Sequence, residues 1–357
     1  MKKFLTLLLV MMMVLSFTAC KEPAAEQSSV TQNDETQNAE TQNAETQNTD
    51  TQNVEIQSSE PLNNETQQPE FVTITTLDGN GETIELEVPY DPQRVVTLDM
   101  ASLDMLDNWG LGYRVAGMPK SSQIDYLIDY FNNEDIVNLG TLKEVDMEAL
   151  MALEPDIIFI GGRLSAQYDT LSEIAPVVYI TTDYETGMLQ SVKNNAATLA
   201  SIFGTEEKLA EQLAGFDSRV TALAEAAAGK TAVIGIVTSS NFNTLGDGSR
   251  CSMIGNEVGF TNLANDVDST HGNESSFELL VSLDPDYIFV LDRDSAINTE
   301  GAQLAQEVME NELVGQTSAY KNGNIIYLTP TVWYLAEGGI TAADLMLKDL
   351  EAGIMGQ

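Results

Sequence analysis

Among 357 residues there is one histidine, His271, and there are two cysteines, Cys20 and Cys251. A single imidazole cannot build the several-histidine cage that zinc sites use. Two cysteines cannot make a disulfide framework, and Cys251 reads as a small buried apolar residue. Cations are scarce as well: 16 Lys and Arg stand against 55 Asp and Glu, a formal net charge of −39. Such a surface repels nucleic acid and anionic lipid. The chain has no P-loop, no Gly-x-Ser-x-Gly elbow, no His-Glu-x-x-His and no GxGxxG after a strand, so no enzyme is expected. Against so acidic a background, an arginine that recurs at equivalent places needs a reason.

What is present begins with a targeting segment. Lys2 and Lys3 precede an apolar run from Phe4 to Ala19, shorter than the roughly 20 residues that span a bilayer. Residues 1–19 therefore read as a secretory signal. The run ends Phe17-Thr18-Ala19-Cys20, which resembles a bacterial lipobox with Phe17 in place of the usual leucine. That resemblance implies a lipidated Cys20 and a protein held on the extracytoplasmic face of the cell membrane; two or more acyl chains anchor stably. Residues 20–70 follow as a tether, in which Thr-Gln-Asn-x-acid repeats five times from Thr31 to Glu55. With almost no large apolar side chains, this segment cannot offset its chain entropy, and it is expected to be disordered.

The folded part carries a repeat. Leu153 to Arg163 reads LEPDIIFIGGR and Leu283 to Arg293 reads LDPDYIFVLDR, an offset of 130 residues, and upstream Glu148 and Glu278 match as well. Each copy predicts a helix, over 144–153 and 277–283, ended near a proline, then a continuous apolar strand of the kind a parallel sheet covers on both faces. A hairpin is expected over 71–88 around Asp-Gly-Asn-Gly. Further strands are expected at 94–98, 177–180, 231–237 and 325–328, and a last helix at 340–352. Between the copies, 188–228 is helix-forming almost throughout, interrupted at Phe203-Gly204-Thr205. The fold expected is α/β: two Rossmann-like lobes, 71–187 and 229–357, joined by the long helical connection 188–228, with a ligand cleft between them. In open α/β sheets ligands lie beyond the carboxyl ends of strands, and Arg163 and Arg293 both fall there. Taken singly, either could be an ordinary surface arginine; the recurrence favours a cleft ligand.

The signal with its lipobox, the two lobes, the helical joint and the repeated Glu…Pro-Asp-x-Ile-Phe…Arg unit resemble class III substrate-binding lipoproteins of bacterial ABC importers. Within them, Gly161-Gly-Arg163, Gly248-Ser-Arg250, Thr270-His-Gly272, Leu291-Asp-Arg293 and Val332-Trp-Tyr-Leu335 are similar to the catecholate siderophore-binding branch. The resemblance covers 71–357. It implies that Arg163, Arg250 and Arg293 face a ferric siderophore, the transported ligand, with no intrinsic cofactor. Arginine keeps its charge and offers several fixed donors, which suits a trianionic ferric tris-catecholate. It implies too that His271 and Tyr334 complete the iron shell of a ligand with only four donors, tyrosinate oxygen and imidazole being acceptable ligands for Fe(III). Trp333 beside Tyr334 is a candidate pocket wall, although the core is the better reading of it. Glu148 and Glu278 become docking points for a permease dimer with its ATPase. A monomer is expected, without nucleic-acid partners.

Alternatives stay open. A haem-binding protein of a haem importer would also use His271 and Tyr334, as axial ligands. Vitamin B12 and hydroxamate ligands are compatible with the same scaffold, although three arginines favour an anion. A surface adhesin would suit the tether but leave paired lobes without a role.

Overall fold

A computed structural model describes residues 68–265, 271–274 and 276–356. The signal segment, Cys20 and nearly all of the tether lie outside them.

The chain opens with the expected hairpin, β1 (Phe71–Leu77) against β2 (Thr83–Pro89). Then come β3 (Val95–Thr97), β4 (Val115–Met118), β5 (Val137–Asn138), β6 (Ile157–Ile160) and β7 (Val177–Tyr179). These form a five-stranded, wholly parallel sheet in the order β5-β4-β3-β6-β7. The second sheet is built from β8 (Thr231–Thr238), β9 (Asn241–Leu245), β10 (Thr261–Asn262), β11 (Asn273–Glu274), β12 (Tyr287–Asp292) and β13 (Ile325–Leu328). Its order is β11-β9-β8-β12-β13, with β10 paired to β8. It is mixed, because β8–β9 and β9–β11 are antiparallel. β9 went unpredicted: Asn241-Phe-Asn-Thr-Leu245 alternates but is poor in apolar residues. Its Phe242 lies across Gly235 of β8, where an added Cβ would meet the ring at 2.2 Å, so glycine is required there.

The repeat is one backbone unit used twice. Its helices span Met147–Leu153 and Phe277–Leu283, capped by Asp146 onto the Ala149 N–H and by Ser276 onto the Leu279 N–H. The first helix thus starts three residues later than the sequence suggests, because Asp146 takes the cap. Both helices end on a non-glycine residue in the left-handed region, Glu154 (φ 44) and Asp284 (φ 43). After each proline the aspartate pins the entry of the sheet's central strand. Asp156 Oδ2 accepts from the Gln93 and Arg94 N–H groups at 2.9 and 2.7 Å. Asp286 Oδ2 accepts from the Thr231 N–H and hydroxyl at 2.9 and 3.1 Å. Pro-Asp therefore registers β6 on β3 and β12 on β8. All four residues of β6 are buried, as expected of an inner parallel strand.

The joint breaks at the expected interruption and once more beyond it. It is three helices, Met188–Phe203, Glu206–Leu213 and Phe216–Ala227, broken at Gly204 (φ 63) and Gly215 (φ 93). The last helix is Ile340–Met355. It packs on Met100–Asn108 of the first lobe and on Phe216–Ala227 of the joint. Asp104, buried in the first lobe, accepts from the Thr341 and Ala342 N–H groups, both at 2.9 Å, and from the Tyr126 hydroxyl at 2.5 Å. A carboxylate from one lobe thus meets the positive end of the final helix. Leu103, Leu199, Ile234, Leu291 and Leu347 belong to one continuous buried core that runs through both lobes and the joint.

Candidate functional site

The loops that leave the carboxyl ends of the strands carry the candidate residues. β6 runs into Gly161-Gly162-Arg163, β9 into the turn that holds Arg250, and β12 directly into a short helix, Arg293–Ala296. Cys251, at φ 63, bends the chain just after Arg250. The second Cys is buried, and burial pushes its thiol up, as expected of a core residue. A helix absent from the sequence reading, Pro330–Leu335, follows β13 and carries Tyr334; its proline sits in the first turn, where no N–H is needed.

Arg163, Arg250 and Arg293 converge on the ring of Tyr334, their guanidinium carbons 5.6, 4.5 and 5.7 Å from its centroid. Arg293 Nε donates to the Tyr334 hydroxyl at 3.1 Å. Arg163 and Arg250 each donate to the Tyr334 carbonyl at 3.1 Å, and Arg250 also to the Trp333 carbonyl at 3.2 Å. Two arginines therefore satisfy open carbonyls at the end of the Pro330–Leu335 helix, a favourable place for cations. Arginine has five N–H donors, so each keeps donors for a ligand. Three guanidinium groups this close repel one another, and carboxylates offset the repulsion. Arg250 lies 3.4 Å from Glu337 Oε2 and Arg293 lies 3.2 Å from Asp294 Oδ1.

A cavity of about 360 Å³ opens beside this cluster, lined in part by Arg163, Arg250, His271, Tyr334, Lys143 and Glu337. Arg163, Arg293 and Tyr334 also border an adjoining hollow of about 280 Å³. His271 and Tyr334 thus face one cavity. The His271 side chain is exposed. Partial burial first, then the charges of Arg293, Arg250, Lys143 and Arg163, hold its imidazole below its ordinary value, so it favours the neutral form that can donate a lone pair to a metal. Tyr334 is 5 % exposed and its hydroxyl is turned to Arg293. Among the described residues no group of three or more His, Cys, Asp or Glu is set to hold a metal ion.

Trp333 belongs to the core and not to the pocket wall. It is fully buried and its indole N–H donates to Asp349 Oδ2 at 2.8 Å. It is not among the residues that line the cavity. Glu148 and Glu278 are both exposed in the first turns of their helices, one on each lobe.

Several cavity residues escaped the sequence reading, among them Lys143, Asp99, Tyr184 and Glu337. Asp99 follows β3 and caps the next helix through the Ser102 N–H. Burial pushes its carboxyl up to about 6, against the pull of Ser102 and of the Arg163 charge. A Cβ at Gly161 would meet its Oδ1 at 2.7 Å, so this glycine lets the loop of Arg163 pass over the carboxylate. Tyr184 follows β7 and donates to Glu337 Oε2 at 3.0 Å. The strand-end rule that found Arg163 applies equally to Asp99 and Tyr184; Glu337, after an unpredicted helix, gave no comparable signal.

The model of the family described as "Periplasmic binding protein" matches residues 95–332. The petrobactin-binding protein YclQ of Bacillus subtilis is 33 % identical over 82 % of this chain and 90 % of its own. Its crystal structure superposes with a TM-score of 0.74 over 79 % of this chain and 99 % of that one. The ferric-anguibactin-binding protein FatB of Vibrio anguillarum is 28 % identical over 82 % of this chain and 92 % of its own. The catecholate-siderophore-binding protein VctP of Vibrio cholerae, at 29 % identity, gives a TM-score of 0.73 over 79 % of this chain and 100 % of that one. The fold, the strand-end cleft and these matches place the chain in the periplasmic binding protein family.

Proposed function

We propose that this protein captures a ferric siderophore of the catecholate type in the cavity beside Tyr334 and passes it to an ABC permease for iron uptake. One observation carries the reading: three arginines, from three separate strand-end segments of an acidic chain, converge within 6 Å of one ring. The relatives named for petrobactin, ferric anguibactin and catecholate siderophores support the same ligand class. The chelator supplies most or all of the iron's donors, and the protein supplies charge and N–H groups. Binding is reversible capture without chemistry on the ligand.

His271 and Tyr334 then serve a siderophore with four donors, which leaves two iron positions open. The Tyr334 oxygen that would meet iron is the one that accepts from Arg293 Nε. Cys20 carries the lipid anchor, the segment 20–70 is the tether, and the protein works as a monomer on the outer face of the cell membrane. Glu148 and Glu278 dock one on each half of the permease.

Quenching of intrinsic fluorescence by a panel of ferric siderophores tests the reading. Arg163→Ala, Arg250→Ala and Arg293→Ala should each weaken a ferric catecholate roughly ten- to a hundredfold, from about 1.5–3 kcal/mol per charged hydrogen bond. Unchanged affinity in the triple variant would sink the proposal. Charge reversal at Glu148 and Glu278 should leave binding intact and stop uptake. The shared cavity of His271 and Tyr334 also suits haem, and a Soret band after incubation with haemin would favour that ligand instead.

A further inference from the structure

The hollow beside the main cavity shares Lys143, Arg163, Tyr334 and Leu335 with it and adds Arg293, Leu142 and Ile297. Three cations border this smaller space, and among the described residues no carboxylate does. The larger cavity has apolar wall as well, at Ala101 and Ile180, but Asp99 and Glu337 border it. An anionic group that extends away from Tyr334 therefore meets carboxylates on one side and none on the other, and like charges repel.

Each polar group that the two spaces meet around has an apolar side chain beside it. Arg293 and Ile297 lie about one helical turn apart, with the Ile297 N–H donating to the Arg293 carbonyl at 3.1 Å, so both side chains leave from one face. Lys143 follows Leu142 on a tight turn. There the Thr141 hydroxyl accepts from the Lys143 and Glu144 N–H groups at 3.1 and 2.9 Å, and the Thr141 N–H donates to the Glu144 carbonyl at 2.9 Å. Gly140 permits the turn: its φ is 95, and a Cβ would meet the Glu144 carbonyl oxygen at 2.7 Å. Leu335 follows Tyr334 at the end of the Pro330–Leu335 helix. Leu142 and Leu335 are buried, whereas Ile297 is only partly buried and keeps surface for a ligand.

Cations with apolar side chains between them match one shape of anion, a flat ring with negative oxygens on its edge and apolar faces. A catecholate is such a ring. Its oxygens turn to iron and to guanidinium donors, and its face can also stack on a guanidinium plane. A hydroxycarboxylate chelate of the same charge has no such face to bury.

We infer that Ile297 is a specificity-determining residue, against which a catecholate ring of the bound complex packs in the smaller hollow. The iron then lies where the two spaces meet, by Tyr334, which borders both. The inference rests on the siderophore reading of this cleft. It adds a means of telling an aromatic chelate from a non-aromatic one of equal charge, which arginines alone do not supply.

The test compares the ferric complexes of two tetradentate chelators on the full folded chain. The bridge is the same in both; one carries a pair of catecholates and the other a pair of α-hydroxycarboxylates. Either chelating group binds iron as a dianion, so the two complexes have the same net charge. Fluorescence quenching should show the catecholate complex favoured by about tenfold or more. Ile297→Asn should weaken the catecholate complex by about tenfold and leave the hydroxycarboxylate complex within about twofold. Three results overturn the proposal while the siderophore reading stands: no preference for catecholate in the unmodified protein, equal losses for both complexes in Ile297→Asn, or no loss for either. Failure of the unmodified protein to bind these or any other ferric siderophore overturns the reading itself and the proposal with it. Should Ile297→Asn lose its fold by circular dichroism, Ile297→Ala decides: it must weaken the catecholate complex by about threefold or more and spare the other, and a loss that is shared or absent refutes the proposal.

Discussion

In the first copy of the repeat Arg163 is exposed, follows two glycines, and reaches from its own lobe to the Tyr334 carbonyl of the other. In the second copy Arg293 is partly buried, begins a short helix capped by Asp292, and holds Asp294 and the Tyr334 hydroxyl within its own lobe. The helices, the left-handed residues and the Pro-Asp pins upstream are alike. One sequence unit has thus been kept for its backbone and varied at its end. The copy with glycines presents an arginine that spans the cleft, and the copy with aspartates presents one built into the wall.

Four measurements would break or sharpen that comparison. The largest effect is expected at the pins. Asp286→Ala leaves the Thr231 N–H without its acceptor inside the sheet, and should lower unfolding free energy by about 2–4 kcal/mol in denaturant titration. Asp156→Ala should lose less, since Gln93 and Arg94 are exposed and water can replace the carboxylate. Equal losses would mean that the two pins bear the same load.

The arginines come next. Without ligand, Arg293→Ala should destabilise by about 1–3 kcal/mol, because Asp294 stays buried with its charge less well met. Arg163→Ala should stay within about 0.5 kcal/mol. A large loss at Arg163 would show that its contact with the Tyr334 carbonyl is structural.

A third test concerns Asp99, which lies under the first arginine loop and has no counterpart under the second. Its folded carboxyl titrates near 6, raised from 3.8. The protonated form is favoured in the folded state, so this contribution is full below pH ~4 and is lost as pH rises through ~6. Asparagine still caps the Ser102 N–H and carries no charge. Between pH 4 and 7 the stability of Asp99→Asn should therefore improve relative to the parent, on the order of 1 kcal/mol once screening by the open cavity is allowed for. Parallel pH profiles would contradict the sign.

The smallest effect separates the two left-handed residues. Glu154→Gly should stabilise by roughly 0.5–1 kcal/mol, since glycine adopts φ 44 without strain. Asp284→Gly should gain nothing, because its carboxylate accepts from the Ser318 N–H and hydroxyl at 2.6 and 3.0 Å. A gain of the same size at both would mean that the Ser318 contacts contribute little.

Most of the fold was legible because burial and period coincide: β6 and β12 are apolar runs between turn residues, and the repeat marks both sheets. β9 was missed because its asparagines and threonine break the apolar pattern. The Pro330–Leu335 helix was missed because six residues are too few to show a helical period. The arginines could be read because repetition singles them out in an acidic chain. Glu337 could not, since acids are common here and only three-dimensional packing shows that this one is buried beside Arg250. Trp333 could be read either way, since adjacency to Tyr334 points to the pocket and its bulk to the core; neighbours on a helix point about 100° apart, and this one turns into the core.

The final helix docks on the first lobe through Asp104, and this has a consequence for how the molecule is made. A chain grows from its N-terminus at about 5–20 residues per second. The first sheet and its strand-end loops are complete long before Ile340–Met355 is synthesised, yet the groove between the helices Met100–Asn108 and Phe216–Ala227 stays unfilled until then. Asp104, Leu103 and Leu106 wait exposed for partners at the far end of the chain. A chain cut before residue 340 should therefore remain loosely packed and sensitive to protease throughout its first lobe as well as its second.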